Sequence, residues 1–455
     1  MALDQRQRAL HTDLYELTMA AAYFDAELTQ PAAFEMFVRS LPEQRSYLVC
    51  AGLEQIVSYL RELRFEAAQI DYLRGLPAFA RCSPDFFDYL AGFAFSGSLH
   101  AIPEGTPVFA GEPLLRVQAP IIEAQIVETF LLSVANYETL VATKAARIVE
   151  AARADGKNRT VVDFGTRRAH GPDAGVLAAR AAFIGGCVAT SNVEAGFRMG
   201  IPVSGTEAHS YVMAFDTEEE AFAHYYRCFR EDSVLLIDTY DTVEGARIAA
   251  RVAPRMRGVR IDSGDIVELS RQARTVLDEA GREDAIIVAS GDLDEYAIRD
   301  LVAGGAPVDA FGVGTKLVTS EDAASLQGVY KLVALRKSGV WEPRLKLSAD
   351  KATLPGLKQV HRYTRGEGSP FARDVIAAAE EDCPAAAAPL LTPVMLDGRV
   401  VAPTPDLPEI RRHAAAQIAR LPAECRRLDH PAPYPVEVSP VLQQRFRKLA
   451  DEREE

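Results

Sequence analysis

The sequence predicts a mixed α/β protein in which a β/α barrel is joined to a smaller, β-rich domain. Between residues 160 and 316, short β-branched segments alternate with helix-like segments at the spacing of a barrel. Nearly every β-branched segment ends in glycine or polar residues. Residues 100–120 instead have Pro or Gly turns every few positions, with short β-prone runs between them. A doubly wound open sheet gives a similar alternation, so the pattern alone leaves both architectures open.

Length and charge limit the classes of function. The chain has 455 residues, enough for more than one domain around a large core. Lys and Arg total 50 and Asp and Glu total 64, a net charge of −14 that argues against nucleic-acid or anionic-membrane binding. A small anionic ligand is still compatible, because it needs only a local group of arginines and backbone N–H groups.

The N-terminal residues and the cysteines indicate a cytoplasmic protein. Residues 1–6 lack the basic and apolar regions of a signal peptide, and no apolar run reaches the roughly 18 residues of a membrane span. The 6 cysteines are scattered, without close Cys or Cys/His pairs. This spacing indicates reduced thiols and disfavours a structural zinc site, so we expect no metal site built from protein ligands alone.

The first part of the chain predicts helices around one strand. Apolar residues recur at helical spacing after Thr12–Asp13, which predicts a capped helix within residues 1–30. A strand is predicted over residues 32–40 and a helical region over residues 50–75. The apolar stripe of residues 121–154 predicts a long helical region.

The barrel is predicted from β-prone segments whose carboxyl ends carry polar groups. These predicted strands are residues 160–164, 186–190, 201–204, 234–238, 258–262, 286–290 and 308–312. A parallel barrel places the carboxyl ends of its strands on one face, where such folds have their active sites. We therefore expect the polar strand ends to converge.

After residue 335 the pattern weakens. Residues 346–348 and 355–362 predict loops and short strands, residues 383–389 a turn or linker, and residues 407–427 and 439–454 helices. We predict an N-terminal α/β domain with a β-rich subdomain over residues 1–120 and a barrel with the active site over residues 121–335. Residues 336–455 are predicted to form a C-terminal region that packs on the N-terminal domain.

One stretch combines an apolar run with an abrupt polar ending. Residues 201–204 predict a buried strand, and Gly205, Thr206, Glu207 and His209 follow it. A lone histidine is more often structural than functional. A functional role for His209 is therefore supported only if other strand ends carry groups that suit the same chemistry.

The strand end at residues 260–265 is one of these. Arg260 and Asp262 are two residues apart and so lie on the same side of the strand. They form either a buried ion pair or a ligand site in which Arg260 binds a carboxylate or phosphate. In the second case Asp262 and Asp265 would hold ribose hydroxyls or magnesium-bound water.

Two further strand ends point to the same kind of ligand. Phe164 is either a core residue or a ring that stacks on a flat heterocycle, beside Arg167 and Arg168. The Gly-rich residues 311–316 suit a phosphate at a helix N-terminus about as well as an ordinary turn. Together the strand ends call for a ligand with phosphates, hydroxyls and a flat acid, and they favour stabilisation of charge during group transfer.

At this point a family resemblance emerges from motifs that occur in order between residues 10 and 362. The motifs are Thr12-Asp-Leu-Tyr15, Asp163-Phe-Gly-Thr-Arg-Arg168, Gly205-Thr-Glu-Ala-His-Ser210, Ile237-Asp-Thr-Tyr240, Arg260-Ile-Asp-Ser-Gly-Asp265, Gly312-Val-Gly-Thr315 and Val329-Tyr-Lys-Leu332. As a set they resemble the nicotinate phosphoribosyltransferase family. The resemblance implies the irregular TIM-like α/β barrel of type II phosphoribosyltransferases, with a smaller β-rich α/β domain built from the N-terminal part and the C-terminal tail. It also implies a homodimer with shared active sites.

The resemblance also implies a reaction in NAD salvage. Nicotinate and phosphoribosyl pyrophosphate would give nicotinate mononucleotide and pyrophosphate. ATP would be hydrolysed alongside through a phosphohistidine, and Mg²⁺ would be bound through the substrate phosphates.

Residue roles follow from the motif match alone. His209 is similar to the histidine that ATP phosphorylates, and Asp262 is expected to stabilise the cationic ribose or to orient its hydroxyls. Tyr15 is expected to complete the pocket of the neighbouring subunit, as the tyrosine of the related nicotinamide enzyme does. The residues implied to bind substrate are Tyr15, Phe164, Arg167, Thr206, Arg260, Gly291, Gly314 and Thr315.

Other functions compete with this one. A nicotinamide-specific transferase shares much of the pattern, but Ser191 and Asn192 tolerate a carboxylate where an Asp would select the amide. Quinolinate phosphoribosyltransferase is related in fold but needs no phosphorylated histidine. A phosphosugar aldolase or isomerase would need a Schiff-base lysine or an acid/base pair, and Lys316 is the lysine nearest a strand end. A non-catalytic phosphosugar-binding barrel would bind the same ligands without a reactive histidine.

Overall fold

The computed structural model describes residues 5–347, 353–366, 368–403 and 405–454. The chain divides into two compact units. Unit 1 contains Met1–Leu140 and Ser325–Glu455, and unit 2 contains Val141–Ala324. The first boundary falls inside a long helix and the second just before a strand of unit 1.

The helices and strands are numbered in chain order. The helices are α1 (Leu14–Asp25), α2 (Leu53–Glu62), α3 (Ala67–Arg74), α4 (Pro84–Ala91), α5 (Ile121–Ile126), α6 (Glu128–Ala152), α7 (Pro172–Ile184), α8 (Val193–Met199), α9 (His209–Val212), α10 (Glu218–Phe229), α11 (Thr242–Val252), α12 (Ile266–Glu279), α13 (Glu295–Ala303), α14 (Thr315–Val318), α15 (Leu407–Ala419) and α16 (Pro440–Glu454). The strands are β1 (Pro31–Val38), β2 (Leu48–Val49), β3 (Ser98–Ala101), β4 (Pro107–Val108), β5 (Pro113–Pro120), β6 (Thr160–Asp163), β7 (Ala189–Thr190), β8 (Val234–Leu236), β9 (Gly258–Ile261), β10 (Ile286–Ala289), β11 (Ala310–Val313), β12 (Gly328–Lys337), β13 (Val340–Pro343), β14 (Lys358–Thr364), β15 (Phe371–Ala378), β16 (Ala387–Pro389), β17 (Thr392–Leu396), β18 (Arg399–Val400) and β19 (Val436–Val438).

Unit 2 contains a curled parallel sheet, and its strand order decides between the two architectures that the sequence left open. The order is β7-β6-β11-β10-β9-β8, and Val203 extends it by a parallel bridge to Thr190 at the end of β7. The first strand of the unit, β6, therefore pairs with the last, β11. This is sequence order wrapped into a ring, which is the topology of a barrel and not of a doubly wound sheet.

The ring has a gap, which one side chain bridges. Within the described residues, no strand pairing joins Val203 to β8. Oε1 of the buried Glu207 instead accepts the backbone N–H of Leu236 in β8 at 2.8 Å. A carboxylate thus occupies the place of a neighbouring strand and satisfies an edge amide that would otherwise be buried without a partner.

The barrel strands are mostly apolar and buried because helices cover their outer face. Leu235 and Leu236 of β8, Val259 of β9 and Ile287 of β10 are all 0% exposed. Such continuous burial is expected for parallel strands with helices packed against them. Polar residues follow directly where the strands end, which brings those residues to one rim.

Unit 1 combines strands from both ends of the chain. One sheet has the order β13-β12-β1-β5-β3-β17-β18, and a second has the order β16-β14-β15-β19. A buried cluster of charges joins the two sheets: Lys358 of β14 lies 2.7 Å from Glu35 of β1, and Arg116 of β5 donates to the carbonyl of Lys358 at 2.7 Å. The tail after residue 357 is thereby fixed to strands formed before residue 121.

The prediction of a buried strand over residues 201–204 was wrong. Only Val203 forms a bridge, and 50% of its surface is exposed. Pro202 has no N–H to donate to a ladder. The side chain of Val203 packs on Gly196 of α8, where even a methyl group would lie 2.2 Å from Val203 Cγ2.

Several other predicted elements form with shorter bounds. Strand β7 covers only the last two residues of the predicted 186–190, since Gly186 has φ +113° and breaks the extended backbone. The predicted helix over residues 407–427 ends at Ala419, and a 3₁₀ turn follows Pro422. Helix α1 begins at Leu14, after a 3₁₀ helix at Gln5–Leu10. Residues 1–4 and Ser348, which the predicted segments included, lie outside the described residues.

The long helical region and the β-rich segment are confirmed. Residues 121–154 contain α5 and α6, and residues 98–120 contain β3, β4 and β5. In the part of the chain that the structure describes, no helix is both long and apolar enough to cross a bilayer.

Candidate functional site

The candidate site is the rim of unit 2 where β8, β9 and β10 end. His209 begins α9, just after the gap in the barrel. Its Nδ1 lies 3.1 Å from Thr239 Oγ1, and its Nε2 lies 4.0 Å from Asp262 Oδ2. About 40% of the imidazole is exposed, so one nitrogen is oriented by a hydroxyl while the other is accessible next to a carboxylate.

Asp262 is held by neighbours on both sides of its strand. Ser290 Oγ donates to Asp262 Oδ1. Asp238 Oδ2 accepts the backbone N–H of Asp262 at 2.9 Å and the hydroxyl of Ser263 at 2.7 Å. These bonds leave Asp262 Oδ2 directed toward His209 and fix the carboxylate in place, which is the arrangement expected of a group that stabilises charge.

Gly291 makes this arrangement sterically possible. It has φ +96°, in the region that favours glycine. A Cβ at this position would lie 1.9 Å from the carbonyl oxygen of Asp262. Its role in the structure is therefore to let the end of β10 approach the end of β9.

Arg260 is a half-buried cation with an unused donor. Its Nε is buried and has no hydrogen-bond partner among the described residues. Burial lowers the pKa of Arg260, the carboxylates of Asp262, Asp238 and Glu207 oppose that shift, and the charge of Arg167 lowers the pKa further. Arg167 therefore lies near enough for the two guanidinium groups to repel, and an anion between them would relieve that repulsion.

Glu207 lies at the barrel gap and also interacts with the charge of Arg260. Burial raises its pKa to about 7, whereas the Leu236 N–H and the Arg260 charge oppose the increase. Its second oxygen, Oε2, is buried and has no hydrogen-bond partner in the described ranges. In the folded protein, the Glu207 carboxyl therefore favours its protonated form up to a pH well above that at which an exposed glutamate ionises.

Replacing Glu207 with glutamine is expected to stabilise the protein increasingly as the pH rises. The folded-state pKa lies above the usual 4.5, so the wild type loses stability between about pH 4.5 and pH 7 and no further above that. Glutamine keeps an oxygen for the Leu236 N–H but does not ionise. The stability of Glu207→Gln relative to wild type should increase by about 2 kcal/mol between pH 5 and pH 8, measured by urea unfolding. The exposed Glu219→Gln should show no such trend, and an equal trend there would refute the explanation.

Phe164 lies flat on backbone at the end of β6. Its N–H donates to the carbonyl of Val313 at 2.8 Å. A Cβ at Gly312 would lie 2.4 Å from ring atoms Cδ2 and Cε2 of Phe164, so the ring occupies the space that the glycine leaves. The residue is only half-buried, which agrees with a ring that offers part of its surface to a flat ligand.

Gly314 and Thr315 form the start of the short helix α14. Gly314 is its N-cap, and Thr315 is half-exposed. Lys316 Nζ donates to Asp294 Oδ2 at 2.9 Å, and this hydrogen bond raises the pKa of the lysine. A lysine held as a cation is a poor Schiff-base nucleophile, which argues against the aldolase alternative.

The rim residues that follow β7 have separate tasks. Asp163 is buried and accepts from Thr190 Oγ1 at 2.7 Å, which ties β6 to β7. The side chain of Asn192 caps α8 by accepting the N–H of Ala195. Ser191 donates only its backbone N–H, to Asp163, and its half-exposed hydroxyl is the group left for a ligand.

Three other predicted residues have less direct positions. Asp265 caps α12 through the N–H of Glu268, so its side chain serves the helix and Asp262 is the carboxylate at the histidine. Thr206 is half-exposed, and its hydroxyl donates to the carbonyl of Glu207 at 3.1 Å. Tyr15 belongs to unit 1, where 45% of its surface is exposed; burial and then the Glu128 carboxylate raise its pKa.

The structure adds residues that were not assigned as site residues from the sequence. Asp238, Thr239 and Ser290 contact Asp262 or His209, and Glu207 closes the barrel. Asp238 and Ser290 end predicted strands, and Thr239 directly follows one; this position was the signal that would have identified them. Glu207 was among the polar residues after residues 201–204, but no local signal showed that it closes the barrel.

Comparison with known proteins matches successive parts of the chain to one family. Residues 10–136 match the nicotinate phosphoribosyltransferase N-terminal domain, residues 160–349 the nicotinate phosphoribosyltransferase family, and residues 383–446 the nicotinate phosphoribosyltransferase C-terminal domain. A nicotinate phosphoribosyltransferase of Mycobacterium tuberculosis is 45% identical over 447 residues, covering 96% of this chain and 93% of that protein. The Bacillus subtilis nicotinate phosphoribosyltransferase is 40% identical over 462 residues, covering 95% of this chain and 93% of that protein.

A solved structure is similar over nearly the same length. The crystal structure of human nicotinic acid phosphoribosyltransferase has a TM-score of 0.85 to this chain at 31% sequence identity. The match covers 96% of this chain and 99% of the human one. The predicted fold class, with its irregular barrel and β-rich domain, is thereby confirmed.

Proposed function

The chain belongs to the nicotinate phosphoribosyltransferase family, and from this we propose that it transfers the 5-phosphoribosyl group of phosphoribosyl pyrophosphate to nicotinate. The products are nicotinate mononucleotide and pyrophosphate, so the reaction serves NAD salvage. One observation supports the proposal most: the accessible His209 lies 4.0 Å from Asp262 Oδ2, beside Arg260 with its unused Nε donor. This rim offers groups suited to phosphate, ribose and a flat acid at once.

The transfer needs stabilisation of charge more than a base. The pyridine nitrogen attacks C1′ of the ribose with its lone pair while the C1′–O bond to pyrophosphate breaks and takes its electrons with it. Asp262, fixed by Ser290 and Asp238, stabilises the positive charge on the ribose or orients its hydroxyls. Arg260 binds the carboxylate of nicotinate, and Phe164 stacks on its ring.

The leaving group is neutralised at the other side of the rim. Arg167 is exposed and near Arg260, in a position to meet pyrophosphate oxygens. Thr315 and Gly314 meet the phosphates of the donor at the end of β11. Mg²⁺ bound through these phosphates would supply neutralising charge, and the carboxylate oxygens of Asp238 and Asp262 are of the kind that would hold it. Asp238 Oδ1 is buried without a hydrogen-bond partner among the described residues, which fits such a role.

ATP acts through His209 in this proposal. The Nε2 lone pair takes the γ-phosphoryl group of ATP, the bond to the β-phosphate oxygen breaks, and ADP leaves. Thr239 at Nδ1 holds the ring in the orientation that exposes Nε2. Hydrolysis of the phosphohistidine then draws a weakly favourable synthesis toward product.

A substrate panel tests the proposed activity. Nicotinate, nicotinamide and quinolinate are each incubated with phosphoribosyl pyrophosphate and Mg²⁺, with and without ATP, and mononucleotide is measured. We expect nicotinate to be preferred and ATP to increase product. Preference for nicotinamide or quinolinate would refute the proposal.

Replacing Ser191 with aspartate is expected to shift preference toward nicotinamide. A carboxylate at the half-exposed position 191 would repel the carboxylate of nicotinate and accept the amide NH₂ of nicotinamide. The ratio of kcat/KM for nicotinate to that for nicotinamide should decrease by about a hundredfold or more. Ser191→Asn is the matched control, because it adds similar volume without charge and should change the ratio far less. An unchanged ratio in Ser191→Asp would show that this strand end does not contact the ring substituent.

We also propose a homodimer in which Tyr15 completes the site of the partner. Large apolar side chains are exposed on unit 2, with Phe197 87% and Val193 71% exposed on one face of α8. Such residues mark a surface that another protein covers. On unit 1, the exposed Tyr15 near the start of α1 is likewise available to a second chain.

Co-expression of two variants that each lack ATP-stimulated product formation is expected to restore it. In mixed dimers of Tyr15→Ala and His209→Ala, a site made from both subunits has one intact copy if Tyr15 acts across the interface. Random pairing makes about one site in four intact, so ATP-stimulated product formation should reach about a quarter of wild type. If Tyr15 serves its own subunit, the mixture contains no intact site and regains nothing.

A further inference from the structure

Unit 1 contains a cavity of about 650 Å³ in which the charged lining residues that the structure describes are all basic. Arg362, Arg365 and Arg420 line it, and none of the lining residues described is an aspartate or glutamate. The chain as a whole has the opposite balance, with 64 acidic against 50 basic residues. A concentration of arginine in an acidic protein is the electrostatic signature of an anion site.

Arg362, on β14, supplies a prepared hydrogen-bond donor. Its side chain is 3% exposed; Nε donates to Asp374 at 3.0 Å, and Nη2 donates to the carbonyl of Pro107 at 2.8 Å. Nη1 is buried and has no hydrogen-bond partner among the described residues. The guanidinium carbon lies 4.8 Å from the ring centre of Phe371, which holds the fork in position.

Arg420 adds a cation without an acidic partner. Its Nε donates to the carbonyl of Ser369 at 3.2 Å, and its guanidinium carbon lies 4.5 Å from the same Phe371 ring. In the described ranges no carboxylate forms an ion pair with it. The guanidinium groups of Arg362 and Arg420 thus both lie against the ring of Phe371.

Two described acids lie near Arg362, and neither is paired with Arg420. Asp374 is already paired with Arg362. Burial and then the charge of Asp374 raise the pKa of Glu112 well above its usual range, which favours its uncharged form. Among the described residues, the positive charge of Arg420 is therefore open to a ligand.

The remaining wall suits the body of a small molecule. Residues 385–390 contribute alanines, a proline and a leucine, while Thr106 and Gln417 offer polar groups. The volume is within the range of small-molecule sites. A neighbouring cavity of about 320 Å³ shares His413 but is lined by Glu54, Glu104 and Glu409. Because these glutamates would repel an anion, we expect the anionic end of a ligand to lie beside the arginines of the larger cavity.

We propose that this cavity binds a small molecule that carries a phosphate group. Arg420 and Nη1 of Arg362 bind the phosphate oxygens, and the alanine-rich wall packs against the organic body. Guanidinium groups with hydroxyl and amide neighbours suit the several acceptor oxygens of a phosphate. This site lies in unit 1, whereas the barrel rim lies in unit 2, so the proposal does not depend on the proposed reaction.

Calorimetric titration with inorganic phosphate, adenosine monophosphate and adenosine tests this site. The parent protein carries Arg167→Gln, which weakens phosphate binding at the barrel rim and changes no residue of unit 1. We expect both phosphates to bind, the nucleotide more tightly, and adenosine not to bind. Arg420→Gln should weaken the Kd for both phosphates by about tenfold, the size expected for one charged contact. Arg365→Gln is a second variant, and because Arg365 is exposed it should weaken binding without affecting the fold.

Arg373→Gln is the matched control. Arg373 is exposed on the neighbouring strand β15, outside the cavity lining, and its removal changes the net charge equally. It should change Kd by less than about twofold. Unchanged binding in both Arg420→Gln and Arg365→Gln, an equal loss in Arg373→Gln, or binding of adenosine alone would each overturn the proposal. Thermal unfolding of each variant shows whether a loss of binding reflects loss of the fold.

Discussion

Replacing His209 with alanine is expected to abolish the stimulation of product formation by ATP. The substitution removes the proposed phosphoryl acceptor but leaves Arg260, Asp262 and Phe164, which we propose bind and activate the two substrates. Stimulation by ATP should decrease at least tenfold, whereas ATP-independent product formation should stay within about threefold of wild type. Rates measured with and without ATP give both quantities. Labelling with γ-³²P-ATP should show a base-stable phosphoryl group in the wild type and none in the variant.

His224→Ala is the control for this result. His224 lies on α10 and is exposed; it bonds with Arg227 and stacks on Phe215, and it contacts none of the candidate site residues in the contacts described. The control should keep full stimulation. Undiminished stimulation in His209→Ala would show that His209 is not the acceptor, and a complete loss of ATP-independent product would show that it serves the transfer itself.

Replacing Gly291 with alanine is expected to disable the site through backbone overlap. The added methyl group would lie 1.9 Å from the carbonyl oxygen of Asp262, so the end of β9 must move. This movement displaces the carboxylate that Ser290 and Asp238 hold beside His209. We expect kcat/KM to decrease at least a hundredfold and the free energy of unfolding to decrease by about 2–4 kcal/mol.

Gly281→Ala separates this overlap from ordinary strain. Gly281 also has a positive φ, +68°, but a Cβ there would meet nothing within 4 Å. Its replacement should cost about 1 kcal/mol of stability and leave kcat/KM unchanged. If both variants lose the same stability and activity, the close approach of Gly291 to Asp262 has no functional importance.

Much of the barrel was predictable because it is encoded locally. Each apolar run followed by polar residues marks a strand end; β6, β8, β9 and β10 lie within the predicted segments, and β11 extends one residue beyond its predicted segment. The motif set then identified His209, Asp262 and Arg260, which the structure brings to one rim. Barrel closure itself was not local, since it depends on β6 pairing with β11 about 150 residues later.

The parts that could not be predicted depend on contacts distant in sequence. Residues 201–204 have the composition of a buried strand, but Pro202 and the packing of Val203 on Gly196 prevent one. Glu207 reads as one more polar residue in its motif, and only the gap beside β8 reveals its task. The residues that contact Asp262 could likewise not be predicted, because they depend on which strand ends become neighbours in the folded barrel.

The mixed origin of the large sheet in unit 1 has a consequence for synthesis on the ribosome. Strand β1 pairs with β5 on one side and with β12 on the other, and β3 pairs with β17. Because β12 begins at Gly328 and β17 at Thr392, a nascent chain must expose the edges of β1 and β3 until most of its length has emerged. Residues 141–324, in contrast, form unit 2 from one continuous segment that is synthesised before β12 and β17. The whole of the unit with the candidate site has thus been synthesised before the last strands of unit 1.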